Sequence, residues 1–175
     1  VNVKINGRDY EVPKNSTVLE AARYAGVEIP TLCYLKDINE IGACRLCLVE
    51  VTGARGLVTS CVYPVNEGME IKTNTPKVLA ARKTNLELVL SNHEKKCLSC
   101  VRSTNCELQK LAKEYGCEEG HFEGASVHYE KDESTPFLVR DNDKCILCRR
   151  CVAACKNMQG IGVIGPNDRG FDTHI

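Results

Sequence analysis

Twelve cysteines stand in this chain of 175 residues, and their spacing is the first thing that points to chemistry. Cys33, Cys44, Cys47 and Cys61 form a C-x10-C-x2-C-x13-C pattern. Cys97, Cys100 and Cys106 follow as C-x2-C-x5-C, and Cys145, Cys148, Cys151 and Cys155 as C-x2-C-x2-C-x3-C. Cys117 lies outside all three groups. Cysteines this dense serve as disulfides, as zinc ligands or as iron–sulfur ligands. Disulfides suit small secreted chains, and no charged n-region followed by an apolar h-region marks this chain as secreted. Neighbours separated by two residues also serve a metal better than a set of bridges. The contest is between zinc and iron–sulfur.

The first group offers four thiolates, enough for a 2Fe–2S rhomb with two ligands per iron or for tetrahedral zinc. The long loop from Cys33 to Cys44 favours wrapping the larger object. Ile41-Gly42-Ala43 supplies small residues through which backbone amides can approach the sulfurs. The second group has three thiolates and needs a fourth ligand, with His93, Cys117 and His121 as candidates. His93 precedes Cys97 by four residues, so on a continuing helix the two share a face. A single histidine is usually a solvated or capping residue, but an incomplete thiolate set one turn away favours His93. Spacing leaves Cys117 as the second choice.

The third group is the bacterial ferredoxin run for 4Fe–4S clusters, whose fourth cysteine serves the neighbouring cluster in two-cluster ferredoxins. Zinc sites normally use two separated pairs instead. Only one such run is present, so Cys145, Cys148 and Cys151 lack a fourth ligand and Cys155 lacks a cluster. Either Cys155 completes its own cluster or a second run lies beyond Ile175. Lys156 also stands where ferredoxin runs usually place proline. The ligand count closes under the second option, with Cys155 reserved for a further cluster. Cys117 is then left as a small buried thiol.

Composition narrows the classes. Lys and Arg total 23, as do Asp and Glu, so the net charge is zero and no basic stripe suggests a nucleic-acid partner. No apolar run approaches the roughly 20 residues that span a bilayer. The expectation is a cytoplasmic protein without a membrane span.

The elements that must position these cysteines are also legible. Asn6-Gly7 is a hairpin turn between strands at Val1–Ile5 and Asp9–Val12. Thr17 and Glu20 form a capping box for a helix through Ala25, with Gly26 as its stop. A second hairpin is predicted from Leu46–Val51 and Leu57–Val62, and a last strand at Met69–Lys72. Pro76 opens a helix to about Asn92, behind Asn74-Thr75 as caps. A shorter helix is predicted from Glu107 to Tyr115, ended by Gly116, and Phe137-Leu138-Val139 as a short strand. The predicted class is α+β. Its parts are a sheet-with-helix domain over 1–75, a helix and cysteine module over 76–120, a polar linker over 121–136 and a partial ferredoxin-type segment over 137–175.

Taken together, the three groups and His93-x3-Cys97 resemble the N-terminal part of FeFe hydrogenases, above all the catalytic subunit of the multisubunit, NAD(P)-linked, electron-bifurcating type. Asn92-His93-Glu94-Lys95-Lys96-Cys97, Cys106-Glu107-Leu108-Gln109 and Asn167 to Thr173 carry the likeness outside the cysteines. The same cluster order is similar to the complex I large iron–sulfur subunit, NAD-linked formate dehydrogenases and the small subunit of NAD-reducing NiFe hydrogenases.

The resemblance implies a β-grasp domain with one 2Fe–2S cluster and a 4Fe–4S module ligated by His93 and three cysteines. It further implies a ferredoxin-like part with one or two more 4Fe–4S clusters, and it selects His93 over Cys117. Implied partners are flavin/NAD(P)-binding and other iron–sulfur subunits of a hetero-oligomeric complex, with soluble ferredoxin as a further one. No side chain here is a catalytic residue. The cysteine motifs of a hydrogen-activating site are absent, so the implied role is an electron relay feeding a site outside this chain. The competing readings are a stand-alone electron-transfer subunit and, more distantly, a zinc-stapled interaction module.

Overall fold

Strand β1 (Asn2–Ile5) alternates exposed and buried side chains, as a strand with one face on a core must. Strand β2 (Arg8–Glu11) returns antiparallel, with Ile5 opposite Arg8 and Asn2 opposite Glu11. Asn6 and Gly7 between them have φ of 51° and 84°, the left-handed pair that a two-residue hairpin requires. Asn6 also exchanges two 2.8 Å hydrogen bonds with Thr73, one from its own amide and one from the Thr73 N–H. This fastens the turn to the far end of the domain's sequence. The computed structural model describes residues 1–117, 122 and 124–175.

Helix α1 (Val18–Tyr24) begins with the expected capping box. The Thr17 N–H donates to Glu20 Oε2 at 2.9 Å, and the Glu20 N–H donates to Thr17 Oγ1 at 3.3 Å. Val18, Leu19, Ala21 and Ala22 share one core with Val3, Ile5, Val49 and Ile71. Strands β3 (Leu48–Val51), β4 (Val58–Thr59) and β5 (Met69–Lys72) complete a sheet of order β2-β1-β5-β3-β4. The second hairpin is thus shorter than predicted. β5 pairs parallel to β1, with Val3 opposite Met69, and antiparallel to β3. A parallel pair needs a long crossover between its strands. All four cysteines of the first group lie on that crossover.

Helix α2 (Pro76–Ser91) carries proline at its first position, and Thr75 Oγ1 accepts from the Val78 N–H at 3.3 Å. The buried Arg82 donates to the Leu48 carbonyl through Nε at 3.2 Å and Nη2 at 2.7 Å, tying α2 to β3. Backbone contacts divide the chain into two units, Val1–Asn85 and Leu86–Ile175.

The second unit is built differently. It holds helix α3 (Glu107–Glu114), a four-residue helix α4 (Arg150–Ala153) that runs into a π-helical turn over Ala154–Met158, and 3₁₀ turns at Cys97–Ser99, Asn142–Lys144 and Gly170–Asp172. Its buried apolar side chains among the described residues are Leu86, Leu90, Leu108, Leu111, Cys117 and Ile175. That is a thin core for some ninety residues. Much of the order comes from polar ties: the Val127 N–H to Asn92 Oδ1 at 3.0 Å, the Tyr129 N–H to Asp143 Oδ1 at 2.8 Å, and a bridge between Asp132 and Arg140.

Phe137-Leu138-Val139 is not a strand. Its side chains are exposed, and Thr135 Oγ1 accepts from the Leu138 N–H at 3.2 Å in a local turn that replaces strand pairing. No helix among the described residues is long and apolar enough to cross a membrane.

Because Ile71 is fully buried at the centre of the sheet, Ile71→Ala should lower stability by about 2–5 kcal/mol in chemical denaturation. Thr17→Ala, which removes only a cap, should cost about 1 kcal/mol.

Candidate cofactor sites

In the first group Cys33, Cys47 and Cys61 are buried and Cys44 is half-buried. The sulfurs are paired. The bond shared with Cys33 lowers the Cys44 thiol to about 5, while that bond and burial push Cys33 up. The bond shared with Cys61 lowers Cys47 to about 7, while Cys61 is pushed up by the same bond and by burial.

Backbone amides converge on these sulfurs. Cys33 Sγ accepts from the Cys44 N–H at 3.5 Å and from Ala43, and Cys44 accepts from Leu46, Cys33 and Leu32. The expectation that small residues before Cys44 would bring amides to sulfur is met at Ala43. Two left-handed residues shape the loop, Gly42 at φ 61° and Arg45 at φ 56°. A Cβ on Gly42 would also stand 3.1 Å from Thr59 Cγ2, so the position needs glycine on two counts.

Sequence reasoning missed Asn39. This buried side chain donates to the Cys33 carbonyl at 2.7 Å, and its backbone carbonyl accepts from the Leu35 N–H at 3.0 Å, holding the long loop shut. It also missed the buried Ser60, whose N–H donates to the Cys47 carbonyl at 3.1 Å while its own carbonyl accepts from the Leu19 N–H at 3.0 Å. No spacing rule marks either residue, since both act through folding of the loop.

In the second unit His93, Cys97, Cys100, Cys106 and Cys117 all line one cavity of about 340 Å³. That is room for a polyatomic group. No three His, Cys, Asp or Glu side chains among the described residues are arranged around a single metal ion. His93 Nδ1 is buried and makes no hydrogen bond to any described residue, an orphaned donor-acceptor atom in a site built of thiols. Burial, and then the Lys144 ammonium, hold His93 below the usual histidine range, which favours the uncharged ring.

Cys106 caps helix α3, its sulfur accepting from the Gln109 N–H at 3.5 Å, and Cys100 Sγ accepts from the Arg102 N–H at 3.5 Å. Cys117 is buried and its thiol donates to the Tyr115 carbonyl at 3.8 Å. His121 lies outside the described residues.

The third group winds around two left-handed residues, Leu147 at φ 52° and Arg149 at φ 60°. Cys145 Sγ accepts from the Leu147 N–H at 3.4 Å. Burial raises the Cys145 thiol, and Cys148 and Cys151 add to the rise by like charge. Cys155 sits in a different setting. The amides of Val163, Ile164 and Gly162 point at its sulfur and lower its pKa. The triplet and Cys155 thus face different neighbours.

Fold and sites together define an iron–sulfur cluster-binding protein. Three family models match: a 2Fe–2S iron–sulfur cluster binding domain over 1–76, the NADH-ubiquinone oxidoreductase-G iron–sulfur binding region over 82–121 and a 4Fe–4S binding domain over 138–158. The NADP-reducing hydrogenase subunit HndD of Solidesulfovibrio fructosivorans is 46% identical over 177 residues, covering 98% of this chain and 30% of that protein. The NADH-ubiquinone oxidoreductase 75 kDa subunit of Reclinomonas americana is 39% identical over 175 residues, covering all of this chain and 25% of that one. A crystal structure of NAD+-reducing [NiFe]-hydrogenase in the H2-reduced state superposes at a TM-score of 0.91 with 31% identity, covering 99% of this chain and 73% of that one. The chain belongs to the family of that NAD+-reducing hydrogenase chain, and carries a 2Fe–2S and 4Fe–4S binding region that NADH-ubiquinone oxidoreductase-G proteins share. It is an iron–sulfur electron-transfer module that spans under a third of the curated relatives' length.

Gly42→Ala should cost about 1–3 kcal/mol through its left-handed backbone alone and weaken retention of the first cofactor. Thermal melts with iron analysis of the purified variant check this.

Proposed function

We propose that the chain is the relay portion of an FeFe hydrogenase subunit, linking flavin/NAD(P)H or ferredoxin partners to a hydrogen-activating site outside this sequence. The observation that carries the reading is the cavity lined by one unpartnered imidazole and four thiols, three of them from the C-x2-C-x5-C group. In this reading Cys33, Cys44, Cys47 and Cys61 hold a 2Fe–2S cluster. His93, Cys97, Cys100 and Cys106 hold a 4Fe–4S cluster. Cys145, Cys148 and Cys151 hold another with a fourth ligand from elsewhere, and Cys155 serves a further one. The higher identity to the NADP-reducing hydrogenase subunit, 46% against 39% for the 75 kDa subunit, supports the hydrogenase assignment. A complete electron-transfer subunit is the second reading, favoured by the 73% coverage of the NiFe hydrogenase chain.

When bound, such clusters supply one-electron redox chemistry. The side chains hold and tune. Buried Cys33, Cys47 and Cys61 keep water from the first site, and amides from Ala43, Cys44 and Leu46 spread the sulfurs' negative charge. A neutral imidazole brings one negative charge fewer than a thiolate, so His93 holds its site at a higher potential than four cysteines would.

Anaerobically prepared protein should be brown, contain iron and acid-labile sulfide, and give EPR signals on reduction. Zinc without sulfide would favour the interaction module. His93→Cys should retain a 4Fe–4S cluster at a lower midpoint potential, and an unmoved potential in spectroelectrochemical titration removes His93 from the ligand set. Cys117→Ser should leave iron content and spectrum intact. Chelation of iron should release amide protection in the thin-cored second unit before β1 and β5 of the first, as read by hydrogen exchange.

A further inference from the structure

Ser60 stands directly before Cys61 and is wholly buried. Its backbone is held from both sides. The N–H donates to the Cys47 carbonyl at 3.1 Å, and the carbonyl accepts at 3.0 Å from the N–H of Leu19 in α1. The first bond continues the antiparallel β3–β4 ladder by one position: Val49 faces Val58, Leu48 faces Thr59, and Cys47 is the next residue, bonded to Ser60. Residues opposite one another in such a ladder send their side chains to the same face. Cys47 is 1% exposed and Ser60 0%, so thiol and hydroxyl lie on one face, both away from water. The Ser60 hydroxyl nevertheless makes no hydrogen bond of ordinary geometry to any described residue.

A buried hydroxyl without a partner costs about 1–3 kcal/mol. Alanine would fill nearly the same space without that cost, so the oxygen calls for an acceptor. Sulfur is the acceptor within reach. Behind the bond shared with Cys61, the Ser60 hydroxyl is among the groups that lower the Cys47 thiol. A thiol accepts a hydrogen bond weakly, whereas a thiolate, the form in which cysteine ligates a metal, accepts a charge-assisted one. Cys33 and Cys44 draw such donors from the backbone, at Ala43, Cys44 and Leu46 among others, and Cys47 draws on the Cys61 amide. Resting on the assignment of Cys33, Cys44, Cys47 and Cys61 as 2Fe–2S ligands, we infer that Ser60 is a positioning residue whose hydroxyl donates to the sulfur of ligating Cys47 and raises the potential of that site. A donor on sulfur draws off negative charge, which favours the more negative, reduced state. Burial strengthens the effect, and the two backbone bonds keep the hydroxyl in place.

The test uses the full chain, loaded anaerobically with iron and sulfide, and two readouts: EPR-monitored redox titration, and resonance Raman of protein loaded in H2O or in D2O. Ser60→Ala should keep the iron content and visible spectrum. It should move the 2Fe–2S midpoint potential to a more negative value and leave the 4Fe–4S signals where they are. The parent's Fe–S stretching bands should shift between H2O and D2O, and part of that shift should vanish in Ser60→Ala. An unmoved potential overturns the inference. So does a potential that moves while the isotope shift stays whole, which is the mark of a packing role. Should Ser60→Ala lose iron, Ser60→Thr decides: it keeps the donor and should hold the parent potential and isotope shift, and loss of both overturns the inference. A chain that gives no 2Fe–2S signal, or whose signal survives Cys47→Ser unaltered, defeats the ligand assignment instead and leaves the two failures distinct.

Discussion

Sulfur crowding is the constraint from which the rest of this molecule follows. Thiols pressed together in a dry pocket cannot all ionise, because each thiolate raises the cost of the next. The first site shows this directly: within each pair one sulfur is pushed toward the thiolate and its partner away from it. In the proposed reading a polycationic iron core among the sulfurs would remove the conflict, and the protein supplies what such a core would not. That is a shell of amide donors and an apolar wall, with Cys47 and Cys61 counted in the same core as Val49 and Ile71.

The two units meet this constraint by different means. The first builds a conventional core and places its cysteines on the crossover that the parallel β1–β5 pairing requires, so its fold stands largely on apolar burial. The second buries few apolar side chains and leaves Leu98 and Val101, beside its cysteines, almost wholly exposed. Its chain is shaped by left-handed turns, the sulfur-capped start of α3 and ion pairs. A unit with so thin a core is where the proposed cofactor binding would couple most strongly to folding.

Tuning follows from the same local physics. In the proposed ligand sets, amides aimed at sulfur and an imidazole in place of a thiolate alter how readily a site accepts negative charge. None of these devices needs a catalytic side chain.

Chemistry and local structure were written in the chain itself. The spacing of the cysteines marked the groups, Asn6-Gly7 marked a hairpin, and Thr17 with Glu20 marked a helix start, because each depends on residues within a few positions of one another. The strand prediction at Phe137–Val139 failed because apolar residues alone do not make a strand when no partner edge is available. Packing decided the remainder: the parallel placement of β5 beside β1, the hold of Asn39 on the Cys33 loop, the three amides on Cys155, the stranded Nδ1 of His93 and the ion pairs of Glu94 and Glu107. These join residues far apart in sequence or depend on backbone direction, and no linear spacing records where a folded chain will bring such groups together.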